Sequence, residues 1–247
     1  MSASFYLITG TSRGIGESLA SRLLGEGHLV LGVSRSNAEG LQSENYHHLR
    51  CDLADASAAS QIVTKAESLV QEKSCEFLCL VNNAARLEPL KSIEECSSFE
   101  LEAHIQIGLI APMALTSKFI QTFAPLACRK KVAFISSGAA VQAMPGASAY
   151  CSAKAGLTMF ARCVGLEQSQ QEGGFETVAI NPGMVETSMQ VTARSKTDEE
   201  FMMAPYFKEA QASGKVQELA PVVEKIARIL TQHQDPGAFV NCAEMES

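Results

Sequence analysis

A glycine-rich turn between a short β-prone segment and an amphipathic helix constrains this chain more than any other feature. Phe5–Thr9 has the composition of a buried strand, and Ile15–Leu24 carries apolar residues on one helical face. Glycines let the backbone approach a pyrophosphate closely, and the start of a helix offers free N–H groups and a partial positive charge. The turn therefore predicts a dinucleotide-phosphate site, although an ordinary tight strand–helix connection uses similar residues. Our candidates for cofactor binding here are Gly10, Ser12, Arg13, Gly14, Ile15 and Gly16.

Strand-like and helix-like segments alternate along the rest of the chain. Further strands are predicted at 29–34, 46–50, 77–81, 132–136, 178–180 and 238–240, and helices at about 56–70, 98–123, 150–171 and 218–231. Pro112 should kink or divide the longest helix. Apolar strands separated by helices predict a doubly wound, Rossmann-type α/β fold: a seven-stranded parallel sheet with helices on both faces. A (β/α)8 barrel is the alternative, but the strand count falls short. We expect one domain over residues 1–247.

Composition narrows the class of partner. The chain has 247 residues, 46% of them hydrophobic, and a net charge of −7, which argues against nucleic acid or an anionic membrane as partner. We find no signal peptide and no apolar run of the ~18 residues that a spanning helix needs. The eight cysteines lie mostly in apolar segments without metal-ligand spacing. We therefore expect a soluble cytoplasmic protein with reduced thiols and no metal site.

The end of the second strand predicts which dinucleotide binds. An NAD site places an acidic residue there to hold the ribose 2′-hydroxyl, whereas an NADP site needs cations for the 2′-phosphate. The strand ends in Ser34-Arg35-Ser36, without a carboxylate, and Arg13 in the glycine turn could reach the same phosphate. The alternative is that both arginines are solvated surface residues. The pair favours NADP(H) as cofactor.

A tyrosine and a lysine share one face of a predicted helix. Tyr150 and Lys154 are four residues apart. An ammonium about 5 Å from a phenol favours the phenolate by about 3 kcal/mol at an effective dielectric of ~20, which lowers the phenol pKa. Such a tyrosine can exchange a proton with a carbonyl or alcohol oxygen. Ser137, after the fifth strand, could bond the same oxygen, while Ser136 and Ser137 could also be ordinary loop residues.

Together these motifs resemble the short-chain dehydrogenase/reductase family over nearly the whole chain. The matching segments are Thr9-Gly10-x3-Gly14-x-Gly16, Asp52-Leu53, Asn82-Asn83-Ala84-Ala85, Ser137, Tyr150-x3-Lys154 and Asn181-Pro182-Gly183-Met184-Val185-Glu186-Thr187. Within the family, residues 111–117 and 149–156 are most similar to the bacterial sepiapterin/benzil reductase branch. The resemblance implies hydride transfer between NADP(H) and a small-molecule carbonyl or alcohol.

The resemblance also implies a role for each matching residue. Tyr150 is the acid/base, Ser137 orients the substrate oxygen, and Lys154 lowers the tyrosine pKa and holds the nicotinamide ribose. The implied contacts are Asp52 and Leu53 with the adenine, Asn82 and Ala84 with the adenosine side, and Pro182, Gly183, Val185 and Thr187 with the carboxamide. The family also implies a homodimer or homotetramer, built on helices 98–123 and 150–171.

One position departs from the family pattern. Gly108 stands where the family has an asparagine, four residues before Pro112, that is thought to hold a water for proton relay. This departure leaves a non-catalytic NADP-binding sensor or scaffold open as an alternative function. A Rossmann-type methyltransferase is a second alternative, which the glycine spacing does not favour.

The segment at about 187–215 lies where the family builds a substrate lid. Methionines and aromatic residues there suit an apolar or aromatic carbonyl compound, but they could equally pack the lid onto the domain. These residues are Met189, Phe201, Met202, Met203, Pro205, Tyr206 and Phe207.

Overall fold

The computed structural model describes residues 4–38, 40–72 and 75–245. Its seven strands form one parallel sheet in the order β3-β2-β1-β4-β5-β6-β7, which confirms the predicted doubly wound fold. The strand order reverses between β1 and β4, the place where open α/β sheets bind ligands. The strands are β1 (Phe5–Thr9), β2 (Leu29–Ser34), β3 (Tyr46–Arg50), β4 (Phe77–Asn82), β5 (Arg129–Ile135), β6 (Glu176–Asn181) and β7 (Ala238–Asn241).

Helices cover both faces of the sheet. Side chains along a strand alternate between faces, so Tyr6 and Ile8 of β1 pack with α1 and α8, whereas Phe5 and Leu7 pack with α2, α4 and α5. Both clusters are fully buried. The helices of the described chain are α1 (Gly14–Gly25), α2 (Ala58–Glu72), α3 (Ser98–Ile105), α4 (Ala111–Phe123), α5 (Ser148–Ser169), α6 (Ser188–Ser195), α7 (Ala204–Ala212) and α8 (Leu219–Thr231).

Strand β5 begins three residues before its predicted start, with Arg129-Lys130-Lys131. Lys131 is fully buried, and its ammonium donates hydrogen bonds to the carbonyls of Ile229 and Gln232. Glu176, opposite on β6, lies 3.2 Å from that ammonium and accepts two bonds from Arg129, at 2.7 and 2.9 Å. Buried charges are tolerated when they are paired and hydrogen-bonded. The prediction from apolar residues therefore missed the first three residues of this strand.

The longest predicted helix is divided as expected, but just before the proline. A wide π-helical turn, Gln106–Ile110, separates α3 from α4, and the N–H of Ala111 bonds to the carbonyl of Gln106, five residues back. Pro112 then occupies the first turn of α4, where a missing N–H costs little. The break therefore follows from a change of hydrogen-bond register ahead of Pro112.

The helical stretch Ser98–Phe123 is long and apolar enough to cross a membrane, judged by length and composition alone. The sequence analysis did not predict this stretch as a candidate. In the structure Leu115, Phe119 and Phe123 are buried against the sheet and the neighbouring helices. Packing inside the protein accounts for these apolar residues.

The predicted lid contains two helices, α6 and α7, that the sequence analysis did not identify. Both are short, with eight and nine residues. Phe201 and Phe207 are buried in a separate cluster with Leu90, Ala147 and Ala193. Met202 and Tyr206, by contrast, are exposed. Packing therefore explains the two phenylalanines.

Candidate active site

Most residues predicted for cofactor and substrate lie at or after the carboxyl ends of parallel strands. The glycine turn follows β1, Arg35 follows β2, and Asp52 and Leu53 follow β3. Asn82 ends β4 and Ala84 follows it, Ser137 follows β5, and the segment from Pro182 to Thr187 follows β6. Tyr150 and Lys154 lie near the start of α5. Because parallel strands end at the same edge, the fold brings these candidates together at one edge of the sheet.

In the glycine turn, the space around Gly16 is filled by neighbouring backbone, whereas the space around Gly14 is open. A Cβ at Gly16 would lie 2.2 Å from the carbonyl oxygen of Gly10, so glycine is required for this close approach. Gly14 has φ +62°, and a Cβ there would meet only Thr187, at 3.6 Å. Arg13, before the helix, makes no side-chain capping bond within the described chain. The exposed N–H groups and small residues at this helix start fit a dinucleotide phosphate.

Thr9 holds the turn to the loop after β4. Its hydroxyl oxygen accepts hydrogen bonds from the N–H groups of Asn83 and Ala84, both at 3.0 Å. The Asn83 amide donates back to the carbonyls of Thr9 and Gly10, at 2.8 and 3.2 Å. Sequence reasoning included both residues in motifs but gave them no role. They align the two loops on either side of the strand-order reversal.

The two arginines predicted for the 2′-phosphate are exposed at this edge of the sheet. Arg35 directly follows Ser34, whose hydroxyl donates to the carbonyl of Ser36 at 2.7 Å and lies 2.9 Å from His48 Nε2. Because the serine hydroxyl proton is used on Ser36, the imidazole must donate. The turn that presents Arg35 is therefore fixed from two sides.

Two adjacent serines after β5 have separate roles. Ser136 is buried, and its hydroxyl bonds to Thr158 of α5 at 2.7 Å. The Ser137 hydroxyl instead lies close enough to the phenol of Tyr150 to lower its pKa, and its oxygen accepts from the N–H of Ala139 at 3.2 Å. Of the two, only Ser137 is placed to share a substrate oxygen with Tyr150.

Lys154 is 4% exposed and donates a hydrogen bond to the carbonyl of Ile135. Its ammonium lies 5.7 Å from the centre of the Tyr150 ring. Burial lowers the pKa of Lys154 to about 8, because a charged group loses hydration inside the protein.

The pKa of Tyr150 does not follow the sequence-based prediction. Burial raises it, and the nearby Ser137 hydroxyl opposes this shift only in part. The expected lowering by the Lys154 ammonium is therefore wrong for the protein alone. Loss of water around the phenol is the largest cause of the raised pKa.

The loop after β6 is tied to the lid. The Asn181 side chain accepts from the N–H of Gly183 at 3.0 Å, and Val185 pairs with Gln217 as a short parallel bridge. Backbone bonds between Gln217 and Met184 and between Glu186 and Gln217, at 2.8 and 2.9 Å, reinforce it. Thr187, at the end of this loop, lies beside the glycine turn, since a Cβ at Gly14 would be 3.6 Å from its side chain.

Partly exposed apolar side chains, Leu87, Met144 and Met203, pack with Tyr150 against the buried lid cluster. Tyr150 and Met144 pack against the lid cluster of Leu90, Phe201 and Phe207. Pockets lined by apolar groups with a few convergent polar atoms are typical of small-molecule sites. The arrangement suits proton transfer to an oxygen on an apolar molecule.

The family model "short chain dehydrogenase" matches residues 4–198. Over 239 residues the chain is 32% identical to the benzil reductase ((S)-benzoin forming) of Bacillus subtilis, covering 97% of this chain and 98% of that protein. It is 25% identical to the sepiapterin reductase of Xenopus tropicalis, over 91% of this chain and 90% of that protein. These matches confirm the resemblance inferred from the motifs, including the benzil and sepiapterin reductase branch.

A solved structure shows the same fold. The chain superposes on a short-chain dehydrogenase/reductase from Saccharomyces cerevisiae with a TM-score of 0.82 and 23% identity, covering 98% of this chain and 97% of that one.

Proposed function

Because the chain belongs to the short-chain dehydrogenase family, we propose that it is an NADPH-dependent reductase of apolar or aromatic ketones and dicarbonyls. The family consists of oxidoreductases that use NAD(P)(H) and act on small molecules. The observation that carries the proposal is the group formed by Ser137, Tyr150 and Lys154 at the carboxyl edge of the sheet.

The three side chains provide the proton chemistry that carbonyl reduction requires. When bound, the reduced nicotinamide supplies a hydride to the carbonyl carbon. Ser137 and Tyr150 hold the carbonyl oxygen, and the phenol of Tyr150 gives it a proton as negative charge develops there. The raised pKa of Tyr150 keeps the phenol protonated at neutral pH, which is the form needed for reduction. Lys154 then returns a proton to the phenolate.

NADPH is favoured over NADH by the cations and by the missing carboxylate. Arg35 follows β2 where an NAD site places an acidic residue, and Arg13 is exposed in the adjoining turn. Two guanidinium groups can grip a 2′-phosphate in a protein of net charge −7.

An apolar substrate is supported by the surface around Tyr150. Leu87, Met144 and Met203 are the partly exposed apolar side chains there, and they pack on the buried residues Leu90, Phe201 and Phe207. The similar proteins from Bacillus subtilis and Xenopus tropicalis are named as reductases of benzil and of sepiapterin.

Turnover on a carbonyl panel, read as loss of NADPH absorbance, tests the proposal. The panel contains benzil, an aryl monoketone, a short aliphatic ketone and a charged keto acid. We expect kcat/KM for benzil to exceed that for the aliphatic ketone by at least about tenfold, or ~1.4 kcal/mol, because burial of aromatic surface stabilises the bound state. Tight NADPH binding without consumption of any panel member would overturn the proposal in favour of a sensor.

A further inference from the structure

Two side chains on the edge strand β3, Tyr46 and His48, contact the loops that carry the arginines predicted for the 2′-phosphate. They lie on the same face of the sheet, because residues two apart on a strand point the same way. Their rings lie nearly parallel, with 6.4 Å between centroids and 27° between the planes. Neither residue belongs to a sequence motif, and neither has a part in the proposed chemistry.

Tyr46 reaches across β2 to the glycine turn after β1. Its phenol donates a hydrogen bond to the hydroxyl oxygen of Thr11 at 3.3 Å. Burial raises the pKa of Tyr46, so the phenol keeps its proton and remains a donor. Thr11 is fully buried and lies two residues before Arg13. The bond therefore ties the backbone just ahead of Arg13 to the edge strand.

A glycine on β2 leaves the room that this bond needs. Gly32 is paired with His48 in the parallel ladder, and a Cβ there would overlap the phenol oxygen of Tyr46. The same Cβ would lie 2.6 Å from Thr11 Oγ1, closer than non-bonded atoms approach. Glycine inside a strand often marks a place where other groups come close to the backbone. The absent side chain at Gly32 thus explains how a tyrosine on β3 reaches a turn two strands away.

His48 holds the loop after β2. Its Nε2 lies 2.9 Å from Ser34 Oγ and donates to it, because the serine proton is used on the carbonyl of Ser36. Ser34 and Ser36 flank Arg35, and Ser34 is buried whereas Arg35 is exposed. Burial lowers the pKa of His48, so the imidazole is a neutral N–H donor near pH 7. This donor anchors an exposed cation to the buried end of a strand.

A 2′-phosphate that meets both arginines needs their two loops in one arrangement. Arg13 and Arg35 are both exposed, in loops after neighbouring strands. Loops that became ordered only on binding would lose backbone freedom at that moment, which weakens affinity. NADH has a hydroxyl in place of this phosphate and makes no use of the two guanidinium groups. Contacts that fix both loops should therefore raise the affinity for NADPH alone.

We propose that Tyr46 and His48 are positioning residues that set the preference for NADPH over NADH, an inference that rests on the proposed NADPH-dependent function. Tyr46 fixes the turn that carries Arg13, and His48 fixes the loop that carries Arg35. Because both side chains stand on one strand, they keep the two loops in register with each other. Neither side chain grips the phosphate in this role, since both act through the arginines.

Three substitutions test the two contacts without removing an arginine. Tyr46→Phe removes the phenol oxygen, and His48→Phe removes the N–H but keeps a ring against Tyr46. His48→Gln keeps a neutral N–H donor of similar reach. His28→Phe is the matched control, because His28 is also partly buried and its ring lies 5.4 Å from that of Tyr6. His28 directly precedes β2, at the amino edge of the sheet and at the opposite end from the arginines.

Calorimetric titration with NADPH and with NADH measures the preference without turnover. NADPH affinity should fall at least about fivefold in His48→Phe and about threefold in Tyr46→Phe, because each variant loses a hydrogen bond that orders a loop. NADH affinity should stay within about twofold in both. His48→Gln and His28→Phe should keep both affinities within about twofold. Equal weakening of the two cofactors, or an unchanged ratio, would overturn the inference, since general damage to the fold does not distinguish a phosphate.

A second comparison tests whether His48 acts through Arg35. Arg35→Gln removes the guanidinium without adding a charge. In that background His48→Phe should change NADPH affinity by less than about twofold, because the side chain that it positions is gone. A fivefold loss in both backgrounds would overturn the positioning role.

The outcomes also separate this inference from the proposed function. Failure on the carbonyl panel, with the NADPH preference and its loss in the variants intact, would overturn the reductase proposal alone. A natural protein that prefers NADPH, with variants that keep the same preference, would overturn the role of Tyr46 and His48 alone. Equal affinities in the natural protein would overturn both the NADPH proposal and this inference.

Discussion

The Lys154 ammonium donates a 2.7 Å hydrogen bond to the carbonyl oxygen of Ile135, the last residue of β5. This bond joins the start of α5 to the carboxyl edge of the sheet. It fixes the lysine relative to Ser137, two residues beyond Ile135, and relative to Tyr150, one turn earlier on the helix. The geometry of the site therefore depends on the sheet as well as on the helix.

Carbonyl reduction should lose efficiency above pH 8. Burial lowers the pKa of Lys154 to about 8, so the residue is a cation below this pH and a neutral amine above it. Reduction uses the cation as a proton source, which predicts a constant kcat/KM for NADPH below pH 8 and a fall above it. This parameter reports ionisations of the free enzyme. A profile that stays flat to about pH 9.5 would contradict the assignment.

Tyr150→Phe should abolish turnover and leave NADPH binding intact. The phenol transfers a proton, and general acid catalysis of this kind contributes about 10²–10⁴-fold to the rate. Tyr206→Phe is the matched control, because it removes a phenol from the exposed face of the lid helix α7. Steady-state rates and fluorescence titration with NADPH measure the two effects. Retention of a tenth of the natural activity would refute the acid/base role.

Arg35→Asp should reverse or abolish the preference for NADPH. We expect the natural protein to bind NADPH at least about tenfold more tightly than NADH, or ~1.4 kcal/mol, because the guanidinium can bond the 2′-phosphate. A carboxylate at the same place repels that phosphate and can accept from a ribose hydroxyl. Lys65→Asp makes the same charge change on an exposed position of α2. Calorimetry with both cofactors tests this, and equal affinities in the natural protein would refute it.

The protein should form a homodimer or homotetramer through α3, α4 and α5. Phe99, Met159 and Leu166 on these helices are 77%, 56% and 63% exposed, and large apolar side chains exposed in a monomer often mark an interface. Light scattering should give a multiple of 26.4 kDa. Leu166→Glu should lower the mass, while Leu126→Glu, at a loop position, should not. A natural protein that is monomeric at micromolar concentration would contradict this prediction.

Gly108 and Ala153 should be energetically coupled. A methyl group at 108 would lie 3.0 Å from the Ala153 Cβ, closer than side chains normally pack, so Gly108→Ala crowds the contact between the π-helical turn and α5. Ala153→Gly removes the crowding. Denaturant unfolding of both single variants and the double variant should give a coupling energy of at least about 0.5 kcal/mol. Additive effects would mean that the turn adjusts freely.

The sequence was sufficient to predict the sheet because apolar strands, turns and helices follow one another with clear periodicity. It missed the start of β5, since buried Lys131 looks like a surface residue until its partner Glu176 is known. It also missed α6 and α7, which are too short and too mixed in composition to show a helical pattern. Each of these depends on contacts between distant segments.

The candidate site was predictable where a motif keeps its chemistry within one segment, as with Tyr150 and Lys154. The direction of the Tyr150 pKa shift was not, because it depends on how much water the folded protein removes. The contact between His48 and Ser34 was equally hidden, because it forms only when β3 pairs with β2.

Buried Lys131 and its partly buried partners Arg129 and Glu176 lie at the amino edge of the sheet, at the opposite end of the strands from the candidate site. The amino edge therefore carries this ion-pair cluster, and the carboxyl edge carries the residues of the candidate site. Directed evolution of substrate range can therefore alter the loops after the strands while leaving the ion pairs at the other edge of the sheet in place. Conversely, we expect substitutions around Glu176 to change the free energy of unfolding without changing substrate selectivity.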